Sequence, residues 1–172
     1  EREIHVNADV AIAQWQYWLA SGDMDWLKQD GWPVIHGVAE FWASRVTYDK
    51  AHDRYEILHV TSPDEAYNDV PNDAFTNAAA QKALRIAVEA AKLVGATPDP
   101  QWSRIADRMY IPFDGAAQRH SAFDPSVPHD KLTWMGSSLA WLMYPNLDLP
   151  MSDVVRRNDF AFQLQELKTH GD

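Results

Sequence analysis

The chain has 172 residues, 46% of them hydrophobic and 23% charged, a composition typical of one globular domain and not of a disordered segment. The absence of cysteine excludes disulfides, thiolate catalysis and cysteine-bound zinc. A formal net charge of −10 argues against a nucleic-acid backbone as a partner. No apolar run reaches the roughly 18–20 residues that cross a bilayer, and the stretch EREIHVNADV has neither the basic nor the apolar region of a signal peptide.

Hydrophobic periodicity predicts a series of helices separated by short breaks. The predicted helices span residues 7–20, 24–29, 33–46, 75–95, 99–110, 134–144 and 151–168. The breaks are predicted from SGD at 21–23, DGWP at 30–33 and Gly95. In the longest helix, which is rich in alanine, Thr76 or Asn77 is expected to cap the N-terminus.

Between these helices the sequence predicts little other regular structure. Residues 55–60 are expected to form a brief strand, and residues 111–132 an irregular surface excursion because prolines interrupt it. On the first helix the expected apolar stripe is formed by Val10, Ala13, Trp15, Tyr17 and Trp18. The whole pattern predicts a single all-α domain over residues 1–172, built from antiparallel helical hairpins.

A polar loop, HVTSPDEAYNDVPNDAFTN at 59–77, separates the predicted strand from the longest helix. It contains acidic residues, asparagines and prolines, and few side chains that could build a core. Loops of this kind often carry binding or catalytic residues. The carboxylate pair Asp64–Glu65 on a turn stiffened by Pro63 could serve acid–base chemistry, whereas the simpler interpretation is an acidic turn with asparagine caps.

The segment RYEILHVTSPDEAYNDVPNDAFTNAAAQKALRIA resembles the central segment of glycoside hydrolase family 65, which includes maltose, trehalose and kojibiose phosphorylases, acid trehalases and α-glucosidases. The matching residues are Val60, Thr61, Pro63, Asp64, Glu65, Val70, Asn72, Phe75, Thr76 and Asn77. The stretches GWPVIHGVAEFWASRV, EIHVNADVAIAQWQYWLASGD and QWSRIADRMYIPFD are also similar to the family, so the resemblance covers roughly residues 1–145. It implies that the chain is part of an (α/α)6 barrel.

The resemblance implies an inverting glycoside hydrolase that acts on an α-glucoside or a related disaccharide, with Glu65 as the general acid. A general acid must hold a proton on a fixed backbone, and an ionised Asp64 next to Glu65 would favour the protonated form. The residues implied to bind substrate are Asp64, Tyr67, Asn72, Glu3, His5 and Trp134. Asn72 is expected either to hold the loop or to meet sugar hydroxyls. No cofactor and no metal are expected, because the seven histidines include no pair at i, i+4.

The sequence also departs from the family pattern. Ala66-Tyr67 stands where the family usually has tyrosine-histidine, and MGSS at 135–138 replaces a segment with lysine and glutamine. The family's tryptophan-aspartate motif and second carboxylate have no counterpart, so the remaining barrel segments are expected in the parent chain or in another chain. Two alternatives stay open: a phosphorylase of the same family, with inorganic phosphate as co-substrate, or a non-catalytic helical module that binds carbohydrate or a partner. Neither nucleic acid nor a membrane is an expected partner.

Overall fold

Helices dominate the computed structural model, which describes residues 2–63, 65, 68–126, 138–144 and 147–170. The helices are α1 (Val6–Ser21), α2 (Met24–Trp26), α3 (Trp32–Arg45), α4 (Ala74–Val94), α5 (Pro100–Asp107), α6 (Ser138–Trp141) and α7 (Asp153–His170), with a π-helical turn at Leu27–Gly31. The strands are β1 (Thr47–Asp49), β2 (Arg54–Glu56), β3 (Phe113–Asp114) and β4 (Arg119–His120), which form two antiparallel pairs, β1–β2 and β3–β4. The all-α prediction is confirmed.

The chain divides into two compact units. One, which we call the loop unit, comprises residues 1–4, 57–78 and 110–172; the other, the helical unit, comprises 5–56 and 79–109. The prediction of a single domain stays a prediction. Within the described ranges no helix combines the length and the apolar character that a bilayer-spanning segment needs.

The core of the helical unit is built where α1 and α5 pack on α3. Its largest fully buried side chains are Trp42, Trp102, Leu27, Ile35, Leu84 and Ile105. The apolar stripe predicted for α1 is wrong, because Val10 and Tyr17 are exposed, whereas Ala8, Ala11 and Ile12 are buried. Small residues on this face let the helix backbones approach closely, while the bulky rings of α1 pack at its margin.

The predicted break at DGWP is wrong, because the chain stays helical from α2 through the π-helical turn into α3. The Trp32 N–H reaches back to the Leu27 carbonyl, five residues earlier, which widens the helix at this point. Gly31 is required here: a Cβ atom at this position would lie 2.8 Å from Cζ3 of the Trp26 ring. Periodicity and composition alone cannot distinguish such a widened turn from a break.

The glycine stops are confirmed. α1 ends at Gly22, whose φ of 65° is left-handed and whose N–H donates to the Trp18 carbonyl (2.8 Å). α4 ends before Gly95, with φ 80°. By contrast, α5 ends at Asp107, three residues earlier than predicted, since the Arg108 carbonyl accepts a hydrogen bond from the Tyr55 N–H (2.8 Å).

The loop unit includes the β3–β4 hairpin, which lies inside the stretch predicted to be irregular. α7 is fastened to this hairpin through Asp159, which is fully buried and accepts hydrogen bonds from the backbone N–H and from Nδ1 of His120 (2.7 Å each). Arg119 lies over the Phe162 ring at 3.8 Å from its centroid. Pairing with a helix about forty residues further along the chain thus orders a hairpin that local sequence signals do not predict.

Candidate functional site

Glu65, the residue implied to be the general acid, lies near the tip of a loop that runs from Ile57 to Asn72 and that we call the acid loop. Hydrogen bonds join its two arms at successive levels: Asn72–Ile57 (2.8 Å), Val70–Val60 (3.0 Å), Thr61–Asn68 (2.9 Å) and Glu65–Ser62 (2.9 Å). The first, second and last of these are bonds between backbone groups, whereas Thr61 donates through its hydroxyl to the Asn68 side chain. These bonds brace the loop, whose residues Val60, Ser62 and Val70 are buried, whereas Glu65 is exposed.

The acid loop is unusual in its backbone. His59, Glu65, Asp69 and Asn72 all adopt left-handed conformations, with φ of 60°, 58°, 64° and 54°. Asparagine and aspartate tolerate this region, but for a glutamate it costs about 1 kcal/mol relative to glycine. Backbone strain of this kind concentrates at functional sites. Glu65 thus occupies a backbone position that favours glycine.

At the base of the acid loop, Asn72 is buried, with 1% of its surface exposed. Its Oδ1 accepts hydrogen bonds from the Ile57 N–H and from Nδ2 of Asn77 (3.1 Å each). Its Nδ2 donates a long bond to Asp124 (3.5 Å). Of the two roles considered for Asn72, this burial favours holding the loop over meeting sugar hydroxyls.

The chain segment that contains Glu3 runs beside the acid loop. The Thr61 N–H donates to the Arg2 carbonyl (3.1 Å), and the Arg2 side chain forms an ion pair with Asp69. His59 also bonds to Asp69 (2.7 Å), and this bond, together with Arg2, holds the pKa of Asp69 below its ordinary value. The contacts of Arg2 bring this segment to the same loop as Glu65, and Glu3 itself is exposed.

The other predicted site residues lie elsewhere or outside the described ranges. His5 belongs to the helical unit and is buried at the start of α1, where burial lowers its pKa and the Asp9 carboxylate opposes that shift. The residues outside the described ranges are Asp64, Tyr67 and Trp134, together with the divergent segment 135–137. Their assignments as substrate-binding residues stay predictions.

Sequence reasoning missed the roles of two residues that lie next to the acid loop, Asp73 and Asp124. Asp73, and not Thr76 or Asn77, caps α4: its Oδ1 accepts bonds from the N–H and the hydroxyl of Thr76 (2.8 Å each). Because Asp73 directly precedes α4 and aspartate is a preferred N-cap residue, its position in the sequence could have predicted this cap. For Asp124 no local signal exists, because its partner Asn72 is 52 residues away.

A cavity of about 360 Å³ lies in the loop unit between residues 142 and 156, and its lining includes Tyr144, Asp148 and Arg156. Glu65 does not line it. Among the residues that the structure describes, no group of three histidine or acidic side chains could hold a metal ion.

Comparison with known proteins identifies the family. Residues 1–147 match the glycosyl hydrolase family 65 central catalytic domain. A protein-glucosylgalactosylhydroxylysine glucosidase of Danio rerio is 42% identical over 160 residues, which cover 92% of this chain and 24% of that protein. A kojibiose hydrolase of Flavobacterium johnsoniae is 41% identical over 123 residues, covering 70% of this chain and 18% of the relative.

A periplasmic acid trehalase of Saccharomyces cerevisiae is 36% identical over 113 residues, covering 64% of this chain and 9% of the relative. The chain thus spans about a quarter or less of the length of these relatives. A solved structure from the human microbiome, assigned as a kojibiose phosphorylase, has a similar fold, with a TM-score of 0.58 and 18% identity over 69% of this chain and 18% of that one. This likeness agrees with the predicted part of an (α/α)6 barrel. The chain belongs to glycoside hydrolase family 65.

Proposed function

We propose that Glu65 is the general acid of an inverting glycoside hydrolase that acts on an α-glucoside or a related disaccharide. The observation that carries this proposal is the conformation of Glu65: a glutamate with φ of 58° at the exposed tip of a braced loop. It occupies the position of the family's acidic motif. The relatives named as a glucosidase, a kojibiose hydrolase and an acid trehalase support hydrolysis of a substrate that ends in glucose.

In this mechanism the Glu65 carboxyl group donates its proton to the glycosidic oxygen while the bond from that oxygen to the anomeric carbon breaks. A water molecule attacks the opposite face of the anomeric carbon and loses its proton to a second carboxylate, which we do not assign to a residue of this chain. The two carboxyl groups must then be about 6.5–9.5 Å apart. The products are a free leaving-group sugar and glucose of inverted, β configuration.

The braced loop suits this role because proton transfer requires the donor within hydrogen-bond reach of the glycosidic oxygen. The bonds between the arms of the acid loop hold the chain on both sides of Glu65. Glu65 itself is exposed, which leaves its carboxyl group accessible to a sugar.

The proposal is tested with Glu65→Gln in the full-length protein, assayed on kojibiose, on trehalose and on α-glucosyl fluoride. Glutamine keeps the shape of the side chain and lacks the proton. We expect kcat/KM for a hydrolysed disaccharide to fall by about 10²–10⁴-fold, or about 3–5 kcal/mol of barrier. The loss should be far smaller for the fluoride, whose leaving group needs little protonation. Glu40→Gln, an exposed glutamate of α3, is the matched control and should change neither rate.

Equal, modest losses on both kinds of substrate would show that Glu65 binds substrate or holds structure. Nuclear magnetic resonance of the first-formed glucose should show the β anomer. Turnover that requires inorganic phosphate and yields glucose 1-phosphate would replace hydrolysis by phosphorolysis. Binding of a disaccharide without turnover would indicate the non-catalytic module.

A further inference from the structure

We infer that Asn72 is a positioning residue: by fixing the base of the acid loop it sets the place of the Glu65 carboxyl group. The inference rests on the proposed role of Glu65 as the general acid. Asn72 is buried and lies seven positions after Glu65 in the sequence. According to this inference it affects proton donation without touching the substrate.

Asn72 holds Ile57, the first residue of the loop, at two points. The Asn72 N–H donates to the Ile57 carbonyl (2.8 Å), and its side-chain Oδ1 accepts from the Ile57 N–H (3.1 Å). Both polar backbone groups of Ile57 are thereby bonded to one residue, and the two ends of the loop are closed into a ring. This resembles a hydrogen-bonded pair of an antiparallel ladder, except that a side-chain oxygen of Asn72 replaces its backbone carbonyl as the acceptor.

Two residues outside the acid loop, Asn77 and Asp124, fix the orientation of the Asn72 amide. Asn77 donates through Nδ2 both to Asn72 Oδ1 (3.1 Å) and to the Tyr110 carbonyl (2.6 Å). Asp124 accepts from Asn72 Nδ2 (3.5 Å), and its own backbone N–H donates to the Pro71 carbonyl (3.1 Å). The amide therefore has donors on its oxygen side and a carboxylate on its nitrogen side, so the reversed amide would be mismatched at both ends.

The segment that holds Asp124 also supports the chain on both sides of Asn72. The Ala122 carbonyl accepts from the Ala74 N–H (2.8 Å), while Asp124 bonds to Pro71. The base of the acid loop is thus framed at residues 71 to 74, and Asn72 lies inside this frame with 1% of its surface exposed.

Other residue types cannot replace Asn72 fully. Its φ of 54° favours asparagine, aspartate or glycine. Glycine keeps the backbone conformation but removes the three side-chain bonds to Ile57, Asn77 and Asp124. Aspartate keeps an acceptor for the Ile57 N–H but places a second carboxylate against Asp124 and removes the donor.

A shift at the base reaches Glu65 through the arms of the loop. The levels above the base are the Val60–Val70 and Thr61–Asn68 bonds, and above them the Glu65 N–H donates to the Ser62 carbonyl (2.9 Å). Since a displacement of about 1 Å can reduce a rate by about 10²-fold, loosening the base should impair proton donation.

The test compares Asn72→Gly and Asn72→Asp with the wild-type full-length protein on the disaccharide that it hydrolyses and on α-glucosyl fluoride. We expect kcat for the disaccharide to fall about 10- to 100-fold in either variant, with KM little changed, because substrate contacts are retained. For the fluoride, kcat should fall less than about 3-fold, since protonation of that leaving group contributes little.

Asn158→Ala is the matched control. Asn158 is an asparagine of α7 that donates to the Ala117 and Gln118 carbonyls (3.1 Å each) and does not touch the acid loop. Removal of the Asn158 side chain should lower thermal stability, and any change in kcat should be the same for the disaccharide and for the fluoride. Equal losses on both substrates in both Asn72 variants would mean a merely structural role and would overturn the inference.

The double variant Glu65→Gln with Asn72→Gly separates the two proposals. If Asn72 acts through Glu65, the double variant should hydrolyse the disaccharide no more slowly than Glu65→Gln alone. Additive losses would overturn the inference while leaving Glu65 as the acid. If Glu65→Gln itself failed to distinguish the disaccharide from the fluoride, the proposed function and the inference would both be wrong.

Discussion

The acid loop and α4 follow one another in the sequence and are stabilised in different ways. α4 is regular over its 21 residues, and its buried face is formed largely by alanines, among them Ala79, Ala83 and Ala87, each with no exposed surface. The same backbone hydrogen bond recurs at every position of a helix, so α4 does not depend on any single side chain. The acid loop instead depends on single side chains, above all Asn72, whose partners come from distant parts of the sequence.

The two regions also differ in backbone strain. Four residues of the acid loop have left-handed backbones, and no described residue of α4 does. Alanine is the residue best suited to a helix, whereas glutamate is poorly suited to a left-handed position. In α4 the residue types agree with the local structure, and in the acid loop Glu65 opposes it.

The largest effect is expected from Glu65→Gly, which should reduce activity without reducing stability. Glycine adopts φ of 58° without cost, so the free energy of unfolding should be unchanged or rise by up to about 1 kcal/mol. Turnover of the disaccharide should fall by at least about 10²-fold, since the proton donor is gone. Gln118→Gly, at another exposed left-handed position, should give the same stability change with full activity. A Glu65→Gly protein that is clearly less stable would contradict the assignment of strain.

On α4 the opposite outcome is expected from Ala87→Leu. The Ala87 side chain is completely buried, and extra methylene groups should lower the free energy of unfolding by about 1–3 kcal/mol. Chemical denaturation measures this change, and kcat per folded molecule should be unaffected. Glu89→Leu places the same side chain on the exposed face of the helix and should cost less than about 0.5 kcal/mol. Equal effects at both positions would show that the alanine face is not tightly packed.

The junction of the two regions should respond to Asp73→Ala. The loss of the cap on the Thr76 N–H should lower the free energy of unfolding by about 1 kcal/mol. Asp73→Ser retains an oxygen that can accept this bond and should cost less. Thr76→Val removes only the bond from the Thr76 hydroxyl, so it tests the cap separately. If Asp73→Ser were as damaging as Asp73→Ala, the cap would not be the reason for the loss.

Acidification should produce the smallest effect, and it should weaken the start of α1 before it weakens the acid loop. Burial lowers the pKa of His5 below its ordinary value of 6.5, against the opposing effect of Asp9. The unfolded chain then binds the proton more readily than the folded one, so the free energy of unfolding decreases as the pH falls below about 6.5.

The acid loop loses stability in the same direction but at a lower pH. Hydrogen bonding to His59, with the ion pair to Arg2, holds the pKa of Asp69 below its ordinary value of 3.8. This contribution is present above that value and is lost only as the pH falls below it. Thermal unfolding between about pH 7 and about pH 5 should therefore show a decrease that His5→Gln reduces and Asp69→Asn leaves in place. A decrease that Asp69→Asn abolishes would contradict this order.

The sequence by itself determined most of the helices and the family, and it supplied the hypothesis that Glu65 is the acid. Alanine content, Gly22 and Gly95 are local signals that act within a few residues, which is why α4 and the end of α1 agree with prediction. The resemblance carried by the stretch around Glu65 depends on residue identity alone, so it needed no structure. The family that it implied is the family to which the chain belongs.

Tertiary structure alone decided which face of α1 is buried, that the chain continues through the π-helical turn, and that residues 113–120 form a hairpin. It also decided the partners of Asn72. These features depend on contacts between residues far apart in the chain, such as Asn72 with Asp124 and His120 with Asp159. Local propensity carries no information about such pairs, because the free energy of each contact exists only once both segments have been brought together.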